Sequence, residues 1–241
     1  MRRIMLTLVM MLITVAMFSQ SKNLYWTLSV KVKMDKRLEY EKKAAAYIKT
    51  HYPNIKIRAY EVLTGENTGN YVFAMGPMTY KDLDVPMVSP KGEALRNADG
   101  QALDALCESS QASYIRRQED MSIMKADRKL KYVEINYGEN ILGTWIELRD
   151  FLLKDKDARV KGGSKMDIDI FRPDNGGIPN MIYSVRYCET LEELDLEEDT
   201  EAMYDKVNGK NSHFKAWGNY LSKLKSLRSE LRVLRTDMSQ L

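Results

Sequence analysis

The sequence predicts an α+β protein built from two tandem modules, each with the element order β-α-β-β-α-β. Strand-like and helix-like periods of apolar residues alternate along residues 20–129, and the same order restarts in residues 130–241. A turn at 64–70 has a counterpart that begins 109 residues later, and the sequence Asp-Met-Ser at 120–122 recurs 117 residues later. Offsets that grow only across loops are typical of a duplicated module with loop insertions.

The first 19 residues have the pattern of a secretory signal peptide. Arg2 and Arg3 precede an apolar run from Ile4 to Phe18, which is shorter than the roughly 20 residues of a membrane-spanning helix. We expect cleavage after Ser19 and export to the periplasm or the extracellular space; an uncleaved membrane anchor is the alternative. No later apolar stretch of the sequence is long enough to cross a membrane, so no transmembrane segment is predicted in the mature chain.

The composition argues against several classes of function. The formal net charge is +3, and loss of Arg2 and Arg3 with the signal peptide leaves a nearly neutral chain, so no nucleic-acid partner is predicted. Two cysteines are too few for a disulfide scaffold. Export permits a bridge between Cys107 and Cys188, but they fall at non-equivalent points, one in a predicted helix and one at the end of a predicted strand, which favours free thiols.

The first module opens with the clearest strand pattern of the chain. Apolar residues occupy every second position of 24–33, so one face of this strand is buried. Asp35 is placed to cap a helix that runs to about His51, and Pro53 stops it. The other predicted elements are strands at 55–63 and 71–75, a helix at 93–113 and a fourth strand at 114–124.

The second module repeats this order. Its first strand, 132–137, carries Val133, Ile135 and Tyr137 on one face, and Asn140 is placed to cap a helix with apolar residues at helical spacing. The other predicted elements are strands at 166–171 and 178–187 around the turn 173–177, a helix at 213–227 and a last strand at 231–238.

Two such modules can each cover the exposed sheet face of the other. A βαββαβ unit forms a four-stranded antiparallel sheet with both helices on one face, and the bare face must be covered. The arrangement resembles the dimeric α+β barrel superfamily, including its NIPSNAP-like and antibiotic-biosynthesis-monooxygenase-like groups, in a fused single-chain form. The resemblance covers nearly the whole mature chain and rests on element order, helix patterning and duplication. It implies two ferredoxin-like modules, 20–129 and 130–241, packed as a pseudo-dimeric barrel.

The resemblance also predicts which strand residues face the space between the two sheets. If apolar strand positions face the helices, the intervening polar and aromatic positions line that space and can form a ligand cavity. Contact with water, or pairing across the interface, is an equally weighted interpretation. The residues with this predicted orientation are Tyr25, Thr27, Ser29, Tyr132, Glu134, Asn136, Asp167 and Asp169.

Known members of the superfamily are often oxygenases or small-molecule isomerases that use a cavity in each sheet–helix module. Resemblance to haem-degrading members implies an Asn on a first strand, a His on a second helix and a nearby Trp, and Asn136, His213 and Trp217 occupy comparable elements. Haem is therefore the alternative to our prediction of no cofactor, because a haem needs an axial ligand such as His. A solvated or helix-capping His213 is the simpler interpretation.

The sequence contains no motif that assigns a reaction. It lacks G-x-S-x-G, H-E-x-x-H and C-x-x-C, and its two histidines do not provide a histidine-rich zinc site. The acidic run 192–199 lacks the glycine and the alternating oxygen ligands of an EF-hand loop, so we predict a solvated loop and no metal site.

The sequence therefore predicts an exported protein that binds a small molecule, without an assignable catalytic residue. A cofactor-light oxygenase or isomerase acting in a barrel cavity is the enzymatic alternative, and a structural or interaction module of the cell envelope is the third. Whether the protein is an enzyme, and its oligomeric state, stay open. The candidate ligand-binding residues are Tyr25, Thr27, Asn136, Asp169, His213 and Trp217.

Overall fold

The computed structural model of the protein describes residues 21–84, 90–123, 130–195 and 198–241. The predicted signal peptide, residues 1–19, lies outside the described residues, as does Met124 at the end of the predicted fourth strand. The first half contains β1 (Leu24–Val32), α1 (Arg37–His51), β2 (Ile57–Val62), β3 (Tyr71–Met78), α2 (Tyr80–Leu83), α3 (Pro90–Asp104) and β4 (Cys107–Arg117). The second half contains β5 (Tyr132–Asn140), α4 (Trp145–Gly162), β6 (Ile168–Asn175), β7 (Met181–Cys188), α5 (Thr200–Asn208), α6 (Ser212–Ser222) and β8 (Leu224–Leu234).

The eight strands form one closed antiparallel barrel. Their order around it is β1-β3-β2-β8-β5-β7-β6-β4, so each half contributes four neighbouring strands. The halves join twice: β2 pairs with β8 over Tyr60–Val62, and β4 pairs with β6 over Tyr114–Arg117. Each half thus covers the bare sheet face of the other, and barrel closure pairs strand edges that would otherwise be open to solvent. The predicted α+β barrel of two ferredoxin-like sheets is confirmed.

Apolar side chains form three cores that follow from this arrangement. One lies between the first-half sheet and its helices α1 and α3, and contains Tyr40, Ile48 and Phe73. A second lies beneath α4, α5 and α6 of the second half. The third fills the barrel interior between the two sheets. Both faces of a strand can therefore be covered, as they are in β5, which matters for interpreting its sequence pattern.

The inward face of β1 agrees with the prediction, but the inward face of β5 does not. On β1, Tyr25 packs in the barrel interior while Val30 packs beneath the helices. On β5, Val133 and Ile135 pack in the barrel interior. Alternation then directs Tyr132, Glu134 and Asn136 toward the helices, opposite to their predicted orientation. The prediction was wrong because both faces of a barrel strand are covered, so an apolar face alone does not identify the inside.

The fourth strand of each half begins earlier than predicted. The predicted helices 93–113 and 213–227 extended into residues that belong to β4, which starts at Cys107, and β8, which starts at Leu224. Residues 108–112 of β4 and 225–229 of β8 are exposed and mostly polar, so they show no apolar alternation. Cys107 therefore lies on a strand rather than in a helix. Likewise, Asn140 ends β5 instead of capping α4.

The repeated Asp-Met-Ser sequence lies just beyond β4 and β8 and makes the same contacts in both places. Ser122 Oγ donates a hydrogen bond to Gln118 O at 2.7 Å and accepts one from Ile170 N at 3.0 Å. Ser239 Oγ donates to Arg235 O at 2.6 Å and accepts from Ala59 N at 2.9 Å. Each serine therefore fastens the end of a fourth strand to the second strand of the opposite half.

The methionines of the two repeats are exchanged between the halves. Met121 ends the first half but packs in the core of the second, and Met238 ends the second half but packs in the core of the first. The two repeats thus make equivalent contacts at the two junctions between the halves of the barrel. We call each set of contacts a clamp.

Substitution of Ser239 by alanine is expected to destabilise the protein by about 1–3 kcal/mol, because Ala59 N–H loses its acceptor in a part-buried place. Chemical denaturation measures the change. Ser109→Ala, at an exposed position of β4, is the control and should change the free energy of unfolding by less than about 0.5 kcal/mol. Equal stability of the two variants would show that the clamp contributes nothing.

Candidate functional site

A cavity of about 380 Å³ lies in the first half, between the outward face of the sheet and helices α1 and α3. Its volume falls in the range of roughly 300–1,000 Å³ that is typical of small-molecule sites. Its walls are predominantly aromatic and aliphatic. They include Trp26, Leu28, Tyr40, Tyr47, Phe73, Met75, Leu103, Cys107 and Tyr114.

The sequence creates this space by facing small residues on two helices with large residues on the sheet. Trp26 and Leu28 alternate on β1 and point to the same side. Ala44 on α1 and Gly100 on α3 are the smallest residues of the lining. A Cβ atom added at Gly100 would meet only the Tyr47 hydroxyl, at 3.6 Å. The two helices therefore leave an unfilled volume over the aromatic sheet surface.

The ionisable groups of the wall are mostly held neutral. Burial, together with the nearby Asp104 carboxylate, raises the pKa of the Cys107 thiol to about 11. Burial also raises the pKa of the Tyr40 and Tyr47 hydroxyls. Cys107 is therefore a thiol at neutral pH and not a nucleophilic thiolate. Asp104, at the exposed end of α3, is the one carboxylate among the described lining residues.

A buried histidine fixes the two helices beside this cavity. His51, at the end of α1, is 4% exposed, and its Nε2 lies 2.8 Å from Asp99 Oδ2 on α3. Its ring also contacts the Tyr47 ring, with centroids 4.8 Å apart. Because Tyr47 lines the cavity, His51 positions one wall without itself belonging to the lining.

A second cavity, of about 350 Å³, lies in the barrel interior. It is lined by hydroxyl-bearing side chains from β1 and β4 and by tyrosine and arginine side chains from β5, β7 and β8. These residues include Thr27, Ser29, Ser113, Tyr137, Tyr183, Arg228 and Arg232.

The six residues selected from the sequence fall into two separate groups. Thr27 lines the barrel cavity. Tyr25 also points inward, with its ring edge-on to Phe171 at 5.2 Å. Asp169 is 2% exposed and accepts a hydrogen bond from the inward-facing Tyr187 hydroxyl at 3.2 Å. The predicted inward orientation of Asp169 is therefore confirmed.

The other three residues lie on the helix side of the second half. Asn136 is on the outward face of β5, while His213 and Trp217 are on α6, where their rings are nearly parallel with centroids 6.3 Å apart. The structure brings His213 and Trp217 together, but neither they nor Asn136 line either of the two cavities.

Aromatic rings occupy the second-half layer that corresponds to the first-half cavity. The Phe151 ring lies 4.7 Å from the Tyr220 ring and 5.7 Å from the Trp217 ring, measured between centroids. It also stacks on Tyr204 at 5.9 Å. The two halves share a fold, yet different side chains pack in this layer.

The side chains present do not match a haem site. Both histidines lie in the described parts of the chain, and neither lines the first-half cavity. His213 packs against Tyr204 and Trp217 in the aromatic second-half layer. We therefore derive no chemistry through haem.

Two further features of the described residues bear on function. They contain no group of three or more histidine, cysteine or acidic side chains arranged to hold a metal ion. None of the helices in these ranges combines the length and apolar character that a membrane crossing requires. Cys107 and Cys188 are both free thiols, the arrangement that the sequence favoured.

Sequence reasoning missed the first-half cavity. It selected mainly polar residues on strands, whereas this cavity is lined mostly by aromatic and aliphatic side chains such as Trp26 and Tyr47. A usable signal was present: small residues on α1 and α3 sit at positions that face an aromatic strand. Gly100 and Trp26 are 74 positions apart, so their pairing becomes evident only in three dimensions.

Solved structures of other proteins share this fold. No protein-family model matches the chain, and no curated protein matches its sequence. A monooxygenase-like protein from Lactobacillus acidophilus NCFM is similar over 90% of this chain and 98% of its own, with 12% identity and a TM-score of 0.51. An anthrone oxidase-like protein is similar over 92% and 96%, with 9% identity and a TM-score of 0.54.

A mutant chlorite dismutase from Candidatus Nitrospira defluvii is similar over 91% of this chain and 94% of its own, with 9% identity and a TM-score of 0.56. Similarity at this level of identity establishes the fold alone. The protein therefore has the dimeric α+β barrel fold in single-chain form, as its resemblance to that superfamily predicted.

Proposed function

We propose that the protein binds a neutral, largely apolar small molecule in the first-half cavity. The observation that carries this proposal is the volume itself: about 380 Å³ left open under aromatic and aliphatic side chains. Native cores pack densely and leave few voids larger than a water molecule. A space of this size, walled by Trp26, Phe73 and Met75, is the usual form of a small-molecule site.

The wall chemistry selects the class of ligand. The Tyr40 and Tyr47 hydroxyls and the Cys107 thiol are uncharged at neutral pH. Asp104, at the exposed end of α3, is the one carboxylate of the described lining, which contains no lysine or arginine. Flat aromatic walls favour a flat ligand, because offset and edge-on ring contacts add to the burial of apolar area. A hydroxyl or carbonyl group on the ligand can bond to the tyrosine hydroxyls. A fused-ring phenol or ketone satisfies these conditions.

Substitution of Gly100 by leucine provides the test. The new side chain extends into the cavity from an ordinary helical position, and leucine favours helix over glycine by up to about 1 kcal/mol. We expect 2-naphthol to bind wild-type protein with a dissociation constant of about 1 mM or tighter, and to bind Gly100→Leu at least about tenfold more weakly. Isothermal titration calorimetry measures both.

Gly218→Leu is the matched control for this experiment. Gly218 lies in α6, and a Cβ atom there meets nothing within 4 Å, so the same change is made on a helix outside the cavity. The control should bind 2-naphthol like wild type. Loss of binding in the control alone, or equal binding by all three proteins, would contradict the proposal.

Oxidation of the bound ligand by dioxygen, without a cofactor, is the second candidate function. The names of two structural neighbours, a monooxygenase-like and an anthrone oxidase-like protein, favour it. With anthrone as substrate, the methylene carbon loses two hydrogens and gains one oxygen atom of O2 as a carbonyl, and the other oxygen atom leaves as water. The substrate supplies all the electrons. Asp104, the carboxylate of the cavity wall, is the candidate base that accepts the methylene proton.

Anthraquinone formation and oxygen consumption test this second function. Asp104→Asn is expected to lower the rate by about 100-fold or more, the usual contribution of a positioned base. Gly100→Leu should abolish turnover by excluding the substrate. Anthrone oxidation no faster than in buffer would reject the oxygenase, while leaving the binding experiment to decide the first proposal.

We also propose that the protein is exported after removal of residues 1–19. The support is the basic and apolar pattern from Arg2 to Phe18. Amino-terminal sequencing of the protein from the periplasm or medium should give Gln20 first. Recovery of the intact leader in the membrane fraction would favour the anchor instead.

A further inference from the structure

The barrel cavity is separate from the first-half cavity and has a different chemical character. It lies between the two sheets, with Thr27 and Ser29 on one side and Tyr137 and Tyr183 on the other. Asn67 from the β2–β3 turn and Ile178 from the β6–β7 turn are also among its lining residues. Ile178 is 49% exposed, so the turns form a mouth that reaches solvent.

Two guanidinium groups reach this cavity from the inward face of β8, and they differ in their pairing. Arg232 is largely buried and donates from Nε and Nη2 to Glu230 Oε1, at 3.0 and 2.9 Å, and from Nη2 to the Tyr137 hydroxyl. Glu230 Oε2 accepts a further bond from Asn67 Nδ2 at 2.9 Å. Arg232 therefore pairs with a buried carboxylate whose two oxygens both accept hydrogen bonds.

Arg228 is the cation that a ligand can use. Its Cζ lies over the Tyr137 ring, 4.9 Å from the centroid, and its side chain is 41% exposed. Its ion-pair partner is Glu66, at 2.7 Å, whose side chain is 73% exposed on the β2–β3 turn. Water screens such an exposed pair, so replacing Glu66 by a ligand carboxylate costs little. The planar guanidinium also suits two-point contact with a carboxylate.

The other nearby carboxylate does not cancel this charge. Asp169 accepts a hydrogen bond from Tyr187 and lies on β6 beside Val185, but it does not line the cavity. The charges of Glu230 and Arg232 cancel each other. When a ligand displaces Glu66, the cavity wall therefore carries one net positive charge, that of Arg228. The described lining therefore favours an anion.

The remaining walls define the rest of the ligand. The Tyr137 and Tyr183 rings meet edge to face with centroids 5.4 Å apart, which gives an aromatic surface beside Arg228. On the opposite wall, Thr27 Oγ1 and Ser113 Oγ are 2.9 Å apart and offer hydroxyl groups that both donate and accept. We propose that the barrel cavity is a second binding site, specific for a small hydroxylated aromatic carboxylate whose carboxylate contacts Arg228.

Calorimetric titration of the chain without residues 1–19 tests this proposal. The two ligands are 4-hydroxybenzoate and the neutral 4-hydroxybenzamide. Wild-type protein should bind the benzoate at least about tenfold more tightly than the benzamide, because a charge-assisted contact is lost in the latter. Arg228→Gln should weaken benzoate binding by at least about tenfold. Arg149→Gln, which removes the same charge at a distant surface ion pair, should bind like wild type.

Glu66→Gln is expected to raise the affinity for 4-hydroxybenzoate, whereas Arg228→Gln lowers it. It lies on an exposed turn, so the fold is not at risk, and it frees Arg228 from its partner. Benzoate binding should become about two- to fivefold tighter. The proposal is overturned if wild type does not bind the benzoate, if the benzamide binds equally well, or if Glu66→Gln has no effect. It is also overturned if Gly100→Leu abolishes benzoate binding, because the probe would then occupy the first-half cavity.

Discussion

Replacement of Arg235 by alanine is expected to lower the free energy of unfolding by about 2–4 kcal/mol. Arg235 follows β8 at the end of the second half and lies against the first half. Its Nη1 donates to Glu41 Oε1 at 3.0 Å and to Glu61 Oε2 at 2.9 Å. Its Nε and Nη2 donate to the two carboxylate oxygens of Asp237, at 3.0 and 2.9 Å. The variant leaves three carboxylates without this cation, and the side chains of Glu41 and Glu61 are only 18% and 24% exposed. Loss of the cation from such partly buried ion pairs is costly.

Arg149→Ala is the control for this variant. Arg149 also forms a short ion pair, with Asp120 at 2.6 Å, but the two side chains are 47% and 46% exposed. Exposed ion pairs contribute roughly 0–1 kcal/mol, so the control should unfold almost like wild type. Chemical denaturation at pH 7 compares the three proteins. A similar change in both variants would show that the Arg235 network adds no more than a surface pair.

The same network predicts how stability changes in acid. The hydrogen bond from Arg235 holds the pKa of Glu41 below its ordinary value of 4.5, against burial, which raises it. A carboxylate with a lower pKa in the folded state stabilises the protein above its unfolded pKa, and this stability is lost as pH falls through the folded pKa. The stability difference between wild type and Arg235→Ala should therefore be full at pH 7 and shrink below about pH 4.5. A difference that stays constant down to pH 3 would contradict this.

Truncation of Met238 to alanine is expected to cost about 2–5 kcal/mol. Met238 is 1% exposed and packs in the first-half core although it lies three residues from the C-terminus of the chain. Its removal leaves a cavity in the first-half core that the surrounding side chains can fill only in part. Met34→Ala is the control, because Met34 is 89% exposed. Denaturant unfolding should show a large loss for Met238→Ala alone, and a loss below about 1 kcal/mol would show that this terminal contact is dispensable.

The architecture could be predicted from the sequence because local patterns repeat in a fixed order. The alternation in Leu24–Val32 and the Asp-Met-Ser repeat led to the barrel, and the repeat proved to be a clamp at both junctions. The limits of β4 and β8 could not be predicted, since residues 108–112 and 225–229 near their starts are exposed and mostly polar. The inward face of β5 was assigned incorrectly because both faces of this strand are covered.

The candidate site was harder to predict because a cavity is a volume that the surrounding side chains leave empty. Ala44 and Gly100 are unremarkable helix residues in the sequence, and they become informative only when Trp26 and Phe73 are seen opposite them. In the second half, Phe151 and Tyr220 fill the corresponding layer. The two halves thus share an element order, while the small residues Ala44 and Gly100 leave open the cavity of the first half.

The central claim, that the first-half cavity binds the ligand, is tested most directly by methyl NMR of protein labelled with ¹³C-methyl methionine. Met75 lines the first-half cavity, Met181 lines the barrel cavity, and Met203 lies against Gly162 in the second half. Titration with 2-naphthol should shift the Met75 methyl signal to saturation and leave the Met181 and Met203 signals in place. An unchanged Met75 signal at saturating 2-naphthol, or a shift confined to Met181 or Met203, would contradict the account.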